Sequence, residues 1–160
     1  MDGVLQSFAP AGLTKYAIPN SVTSIAAEAF AFCDGLTSIT IPNSVTTIGE
    51  NAFYECKSLT SITIQNSVTE IGEEAFYGCT SLANVKIGRG ITWIGAEAFY
   101  NCLSLREVVC AATIAPKIGE KVFYHDNGRI GCKIYVPKAS QRMYEYDNSW
   151  EDYYWEITGF

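Results

Sequence analysis

The side chains in this sequence that could do covalent or metal chemistry are six cysteines, a single histidine beside an aspartate, and a recurring glutamate. A thiolate attacks a carbonyl when a histidine takes its proton, holds zinc when ligands cluster around it, and oxidises to a disulfide outside the cytosol. Spacing decides among these. No two cysteines stand in the C-x2-C arrangement of a zinc site, so neither a metal nor another cofactor is expected. His125 precedes Asp126, Asn127 and Gly128, which is turn chemistry rather than the surroundings of a catalytic base. Glu50 and Glu73 share one column and read as a solvated face, not a glycosidase pair. No nucleophile elbow, phosphate loop, H-E-x-x-H or calcium-loop pattern occurs. The sequence therefore predicts no catalytic residues and no enzyme.

Four of the cysteines are one position repeated. The segment Ile41-Pro-Asn-Ser-Val-Thr-Thr-Ile-Gly-Glu-Asn-Ala-Phe-Tyr-Glu-Cys returns from Ile64 and again from Ile87, a period of 23 residues. In register, Ile25, Ile48, Ile71 and Ile94 form one apolar column, Phe30, Phe53, Phe76 and Phe99 a second, and Leu36, Leu59, Leu82 and Leu105 a third. Such a period means a solenoid, whose stacked coils share a core that no single coil buries alone. Cys33, Cys56, Cys79 and Cys102 then form a structural ladder of inward, reduced thiols about 4.8 Å apart, each able to meet a backbone carbonyl. Cys110 takes the column of Ile87 and reads as core. Cys132 stands apart, and a Cys110 to Cys132 bridge across the cap stays open in an oxidising compartment.

Within a coil, Ile39 and Ile41 alternate with Ser38 and Thr40, which predicts a strand, and Val45 and Ile48 face inward from a second extended stretch. The stretch from Ala52 to Cys56 lacks alternation and reads as one turn of α- or 3-10 helix. The pattern predicts three parts: a truncated or capping N-terminal segment over 1–12, the solenoid over 13–124, and a C-terminal cap over 125–160. Pro10 falls where a cysteine would, and nothing before Leu13 keeps register, so the chain is expected to begin inside a coil. Ile118 and Phe123 arrive one residue late, giving a coil of 24. Ile134 to Pro137 reads as the last strand, followed over 139–157 by a capping helix and tail.

The pattern Leu-x-x-Ile-x-Ile-Pro-x-x-Val-x-x-Ile-Gly-x-x-Ala-Phe-x-x-Cys, cleanest from Leu36 to Cys56, resembles the BspA-like subgroup of leucine-rich repeats. The resemblance implies an α/β repeat solenoid: a right-handed coil with a parallel β-sheet on its concave face, short helical or 3-10 turns elsewhere, and a C-terminal cap. It also implies a secreted or cell-surface protein associated with adhesion to host matrix proteins or to other cells. An intracellular interaction scaffold and a carbohydrate-binding accessory module remain as alternatives.

The net charge of -6 argues against nucleic acid as a partner, because phosphate contacts need a basic patch. No apolar run reaches the roughly 20 residues that span a bilayer. The first residues lack the features of a secretion signal, so either a signal lies upstream or the protein is cytoplasmic. Among the outward strand positions the early coils carry hydroxyls, while Asn84, Lys86, Arg89, Arg106 and Glu107 vary, and a protein partner is expected there. Tyr54, Tyr77, Tyr100 and Tyr124 form a further column, expected as a stacked ladder. The tail aromatics Tyr144, Tyr146, Trp150, Tyr153, Tyr154 and Trp155 suit a cap; together with Trp93 they are the candidates for carbohydrate contact.

Overall fold

The computed structural model describes residues 3–7, 12–129 and 131–160; Pro10 lies outside them. Each coil supplies one longer and one shorter strand. In chain order these are β1 (Val4–Leu5), β2 (Lys15–Ala17), β3 (Ser24–Ile25), β4 (Ser38–Thr40), β5 (Thr47–Ile48), β6 (Ser61–Ile64), β7 (Glu70–Ile71), β8 (Asn84–Ile87), β9 (Trp93–Ile94), β10 (Glu107–Cys110) and β11 (Lys117–Ile118). A hairpin of β12 (Tyr124–His125) and β13 (Gly128–Arg129) follows, then β14 (Lys133–Val136) and β15 (Ile157–Gly159). The shorter strands stack as a six-stranded sheet, β1-β3-β5-β7-β9-β11. The longer ones stack as β6-β8-β10-β14-β15, with β2 and β4 paired separately. All pairings are parallel except the hairpin.

Between these faces the apolar columns are buried: Ile25, Ile48, Ile71, Ile94, Leu36, Leu59, Leu82 and Phe30, Phe53, Phe76, Phe99, Phe123. The phenylalanine rings lie nearly parallel at centroid spacings of 4.9, 5.0, 5.1 and 5.6 Å, which are set by the strand repeat. Glycine follows each inward isoleucine because the coils touch there. A Cβ on Gly72 would sit 2.5 Å from the backbone nitrogen of Glu50, and one on Gly95 would sit 2.4 Å from that of Glu73.

The expected helical turn takes a different form. The amides of Ala52, Tyr54 and Cys56 do bond three residues back, to Gly49, Asn51 and Phe53 at 3.3, 3.0 and 3.2 Å. The alternate amides of Asn51, Phe53 and Glu55 turn instead to the next coil and donate to the carbonyls of Glu73, Ala75 and Tyr77 at 2.9, 2.7 and 2.7 Å. This alternation needs left-handed backbone at Asn51 (φ 53°) and Glu55 (φ 57°), which breaks any helix. The turns thus form a third hydrogen-bonded stack.

Both ends depart from the sequence reading. β1 pairs with β3, Leu5 opposite Ile25, so the coil before Leu13 is already present. It lies 20 residues from its partner rather than 23, which hid it from a search at fixed period. At the other end β14 is not last. A five-residue helix α1 (Gln141–Glu145) and a 3-10 segment Asn148–Glu156 lead to β15, which pairs with β14. The Gln141 side-chain oxygen accepts from the amide of Gly159 at 3.1 Å, occupying part of the outer edge of β15.

Tyr144, Trp150 and Tyr153 seal the last coil from beneath this cap. Trp150 Nε1 donates to the Pro116 carbonyl at 2.7 Å, the Tyr144 hydroxyl to that of Ala112 at 2.7 Å, and the Phe123 amide to the Tyr153 hydroxyl at 3.1 Å. Each buried aromatic polar atom therefore has a partner. A Gly72→Ala variant is expected to lose about 1–3 kcal/mol in urea denaturation through overpacking against the neighbouring coil. Gly131→Ala, where a Cβ meets nothing within 4 Å, is expected to change stability by less than about 0.5 kcal/mol.

Candidate functional site

Strand alternation turns Asn84, Lys86, Glu107 and Val109 outward on the longer sheet, with Val85, Ile87, Val108 and Cys110 inward. Glu107 lies opposite Asn84, and Val109 opposite Lys86. Arg106 precedes β10 and is exposed, its amide bonded to the Ala83 carbonyl at 3.0 Å. Arg89 follows β8 at the other end of the strands, roughly 10 Å away at strand rise. There it borders a groove of about 370 Å3 with Ile114, Pro116 and Lys117. Asn84, Lys86, Glu107 and Arg106 therefore share one area, and Arg89 belongs to its far margin. Among the described residues, Lys86, Arg89 and Arg106 have no ion-pair partner.

Two members of this face escaped the repeat. β14 places Lys133 beside Glu107 and Tyr135 beside Val109, at an offset of 26 residues because the β12–β13 hairpin is inserted. Alternation within Lys133–Val136 marked Tyr135 as outward, but only the pairing puts it next to Val109.

Cys33, Cys56, Cys79 and Cys102 are buried and free. The thiols of Cys56, Cys79 and Cys102 donate to the carbonyls of Phe30, Phe53 and Phe76 in the preceding coil at 3.1, 3.2 and 3.2 Å. Burial pushes the Cys56 thiol up to about 12 and raises those of Cys79 and Cys102 well beyond the free value. Thiols so protonated are neither nucleophiles nor metal ligands. Cys110 and Cys132 are free as well, so the bridge left open by the sequence is not formed. Cys110 accepts from the Tyr144 hydroxyl at 3.4 Å, while Cys132 stands close enough to Cys102 to raise its pKa.

His125 ends β12 in the hairpin, and its Nδ1 accepts from the Asn127 amide at 3.1 Å, so it serves the turn. Tyr54, Tyr77 and Tyr100 stack at 5.0 and 5.3 Å. Tyr124 leaves that ladder, donating to Asp152 at 2.9 Å and meeting Tyr153 edge-on. Of the three tryptophans, Trp150 is core, Trp93 belongs to the shorter sheet and Trp155 to the 3-10 segment of the cap. The candidate carbohydrate aromatics thus lose Trp150, Tyr144 and Tyr153 to the interior.

A family model described as the BspA type leucine rich repeat region matches residues 5–128 in six copies. No curated protein matches the chain. Among solved structures, a leucine rich repeat protein of T. pallidum is similar at 33% identity and TM-score 0.63, over 66% of this chain and 49% of that one. One from Eubacterium ventriosum is similar at 28% identity and TM-score 0.57, over 72% and 37%. The pneumococcal vaccine antigen PcpA shares the fold at 20% identity and TM-score 0.62, over 80% and 31%. The chain spans about half or less of each of these proteins.

Unfolded without reductant, the protein is expected to release six titratable thiols, while the native protein at pH 8 reacts slowly. Finding no free thiol would overturn the reduced core column. The folded pKa of Cys56 lies above the model value of 9.0, so its contribution is complete below about pH 9 and is lost as pH rises toward about 12. Urea midpoints should therefore fall across that window, and less steeply in a Cys56→Ala variant. Cys79→Ser should cost about 1–3 kcal/mol at neutral pH.

Proposed function

The chain belongs to the BspA-type leucine-rich-repeat family, and from that premise we propose that it is a non-enzymatic binding module that acts at a bacterial or protist surface, or after secretion, by holding a protein on the outer face of its longer sheet. The observation that carries this reading is the contrast between the two faces of the same strands. Inward positions stay apolar from coil to coil, whereas outward ones change from Ser61 to Asn84, Glu107 and Lys133, and from Thr63 to Lys86, Val109 and Tyr135. Packing explains the constancy of the first set and places no demand on the second. A rigid sheet presenting Lys86, Arg106 and Lys133 around Tyr135 combines charges for orientation with an aromatic surface for contact.

The buried, protonated thiols and the structural role of His125 leave the described residues without an activated nucleophile or base. No helix among them is long and apolar enough to cross a membrane. Host matrix and cell-surface proteins are the partner class that the family suggests.

Surface plasmon resonance against a panel of immobilised matrix proteins tests the reading, comparing the wild type with a Lys86→Glu/Arg106→Glu variant of unchanged melting temperature. Binding is expected to weaken at least about tenfold in the variant. Equal affinity would move the site off this sheet, and a wild type that binds no matrix protein would count against adhesion.

A further inference from the structure

The turn stack presents a second surface of opposite charge. Glu28, Asn51, Glu74 and Glu97 hold the same left-handed position in successive coils, with φ of 58, 53, 51 and 54°. The Tyr54, Tyr77 and Tyr100 rings stack beside them, and Phe32, 66% exposed, meets Tyr54 edge-on at 5.4 Å. A cavity of about 250 Å3 opens among Glu28, Phe32, Asn51, Tyr54 and Glu74. Its charged lining consists of acceptors. Asn51 Oδ1 adds another: it is buried and accepts no hydrogen bond among the described residues, while Asn51 Nδ2 is taken by Glu50 at 3.4 Å. An acceptor in that state costs free energy until a donor arrives.

The negative charge here is also uncompensated. Lys57 is bound to Glu55 at 2.9 Å, and among the described residues no ion pair reaches Glu28, Glu74 or Glu97. Burial, then repulsion by Glu97, Glu50 and Glu73, raises the pKa of Glu74. The carboxylates do not gather into a group able to hold a metal ion among the described residues. They are strung out along the coil axis instead.

We propose that this acidic, aromatic groove is a docking site for a lysine- and arginine-rich segment of a partner protein. A guanidinium or ammonium head supplies the donors that Asn51 Oδ1 and the two carboxylates lack, and it lies against the Tyr54 and Phe32 rings with cation–π attraction. Further basic side chains follow the tyrosine ladder past Glu97. The ladder closes where the Tyr100 hydroxyl donates to Asp126 at 3.3 Å, so the groove is open at the Phe32 end and blocked at the hairpin. The site is separate from the strand face proposed above and stands or falls independently of it.

Calorimetric titration of the full chain with a synthetic oligo-arginine peptide tests the proposal. The wild type should bind, and Glu28→Gln/Glu74→Gln should weaken the dissociation constant at least about tenfold. Asn51→Gly, which keeps the left-handed backbone and removes the orphaned acceptor, should weaken it severalfold. Glu107→Gln/Glu151→Gln removes the same charge from other surfaces and should leave binding unchanged. Equal weakening by the two double variants would reduce the effect to net charge and overturn the proposal, as would absence of wild-type binding. Amide shift mapping on the unmutated protein is an independent check. Peptide-induced shifts at Phe32, Asn51 and Tyr54 are expected, and shifts confined to other residues would overturn the site.

Discussion

Backbone hydrogen bonding between coils is the constraint on which this structure depends. A coil does not satisfy its own amides and carbonyls; it spends most of them on its two neighbours, along the longer strands, the shorter strands and the turns. That bonding fixes the rise per coil near the strand spacing. Once the rise is fixed, each residue meets its equivalent in the next coil at the same distance, and side chains must tolerate their own copies as neighbours. Phenylalanine and tyrosine do so by stacking, threonine by donating to the carbonyl below, as Thr69 does to Thr46, and glycine by having no side chain where the backbones touch. Cysteine suits the same logic, since a thiol is small enough for the core and still gives a weak bond to a carbonyl.

Stacking of like on like has an electrostatic cost as well as a steric one. Where the column is apolar the repetition is stabilising, but where it is glutamate, as at Glu74 and Glu97, each coil adds a charge beside a similar charge. On the strand face that repetition is broken, with Asn84, Glu107 and Lys133 succeeding one another across neighbouring strands. The turn face retains it. The two surfaces therefore differ in character: one is a mosaic with mixed signs, the other a uniform negative strip backed by rings.

How much was legible in the sequence follows from the same periodicity. Columns such as Ile48 and Phe53 announced themselves, because any position 23 residues from its copy is visible without knowing the structure. The strand around Ile39 and Ile41 was legible for the separate reason of alternation. Whatever departed from the period was not. Leu5 sits in register through a shorter coil, Tyr135 through a longer one that contains a hairpin, and β15 repeats nothing at all. The left-handed backbone at Asn51 and Glu74 was hidden for another reason. Asparagine and glycine advertise that conformation, but glutamate does not, and the bonds that enforce it come from the following coil rather than from local sequence. Of the candidate site, the strand positions were readable one coil at a time, whereas the Asn51 cavity exists only between coils.

The Gln141 side chain on the amide of Gly159 is a small contact, but it bears on whether this molecule has a defined length. A stack of parallel strands with in-register like residues is also the architecture of an amyloid fibril, in which every added chain creates the template for the next. The same geometry that lets coils share a core thus gives the final strand an invitation to recruit strangers. By occupying one of the last outward amides with a side chain instead of a backbone carbonyl, the helix turns a growing end into a finished one. The cap is in this sense a stop signal against polymerisation, written in one glutamine.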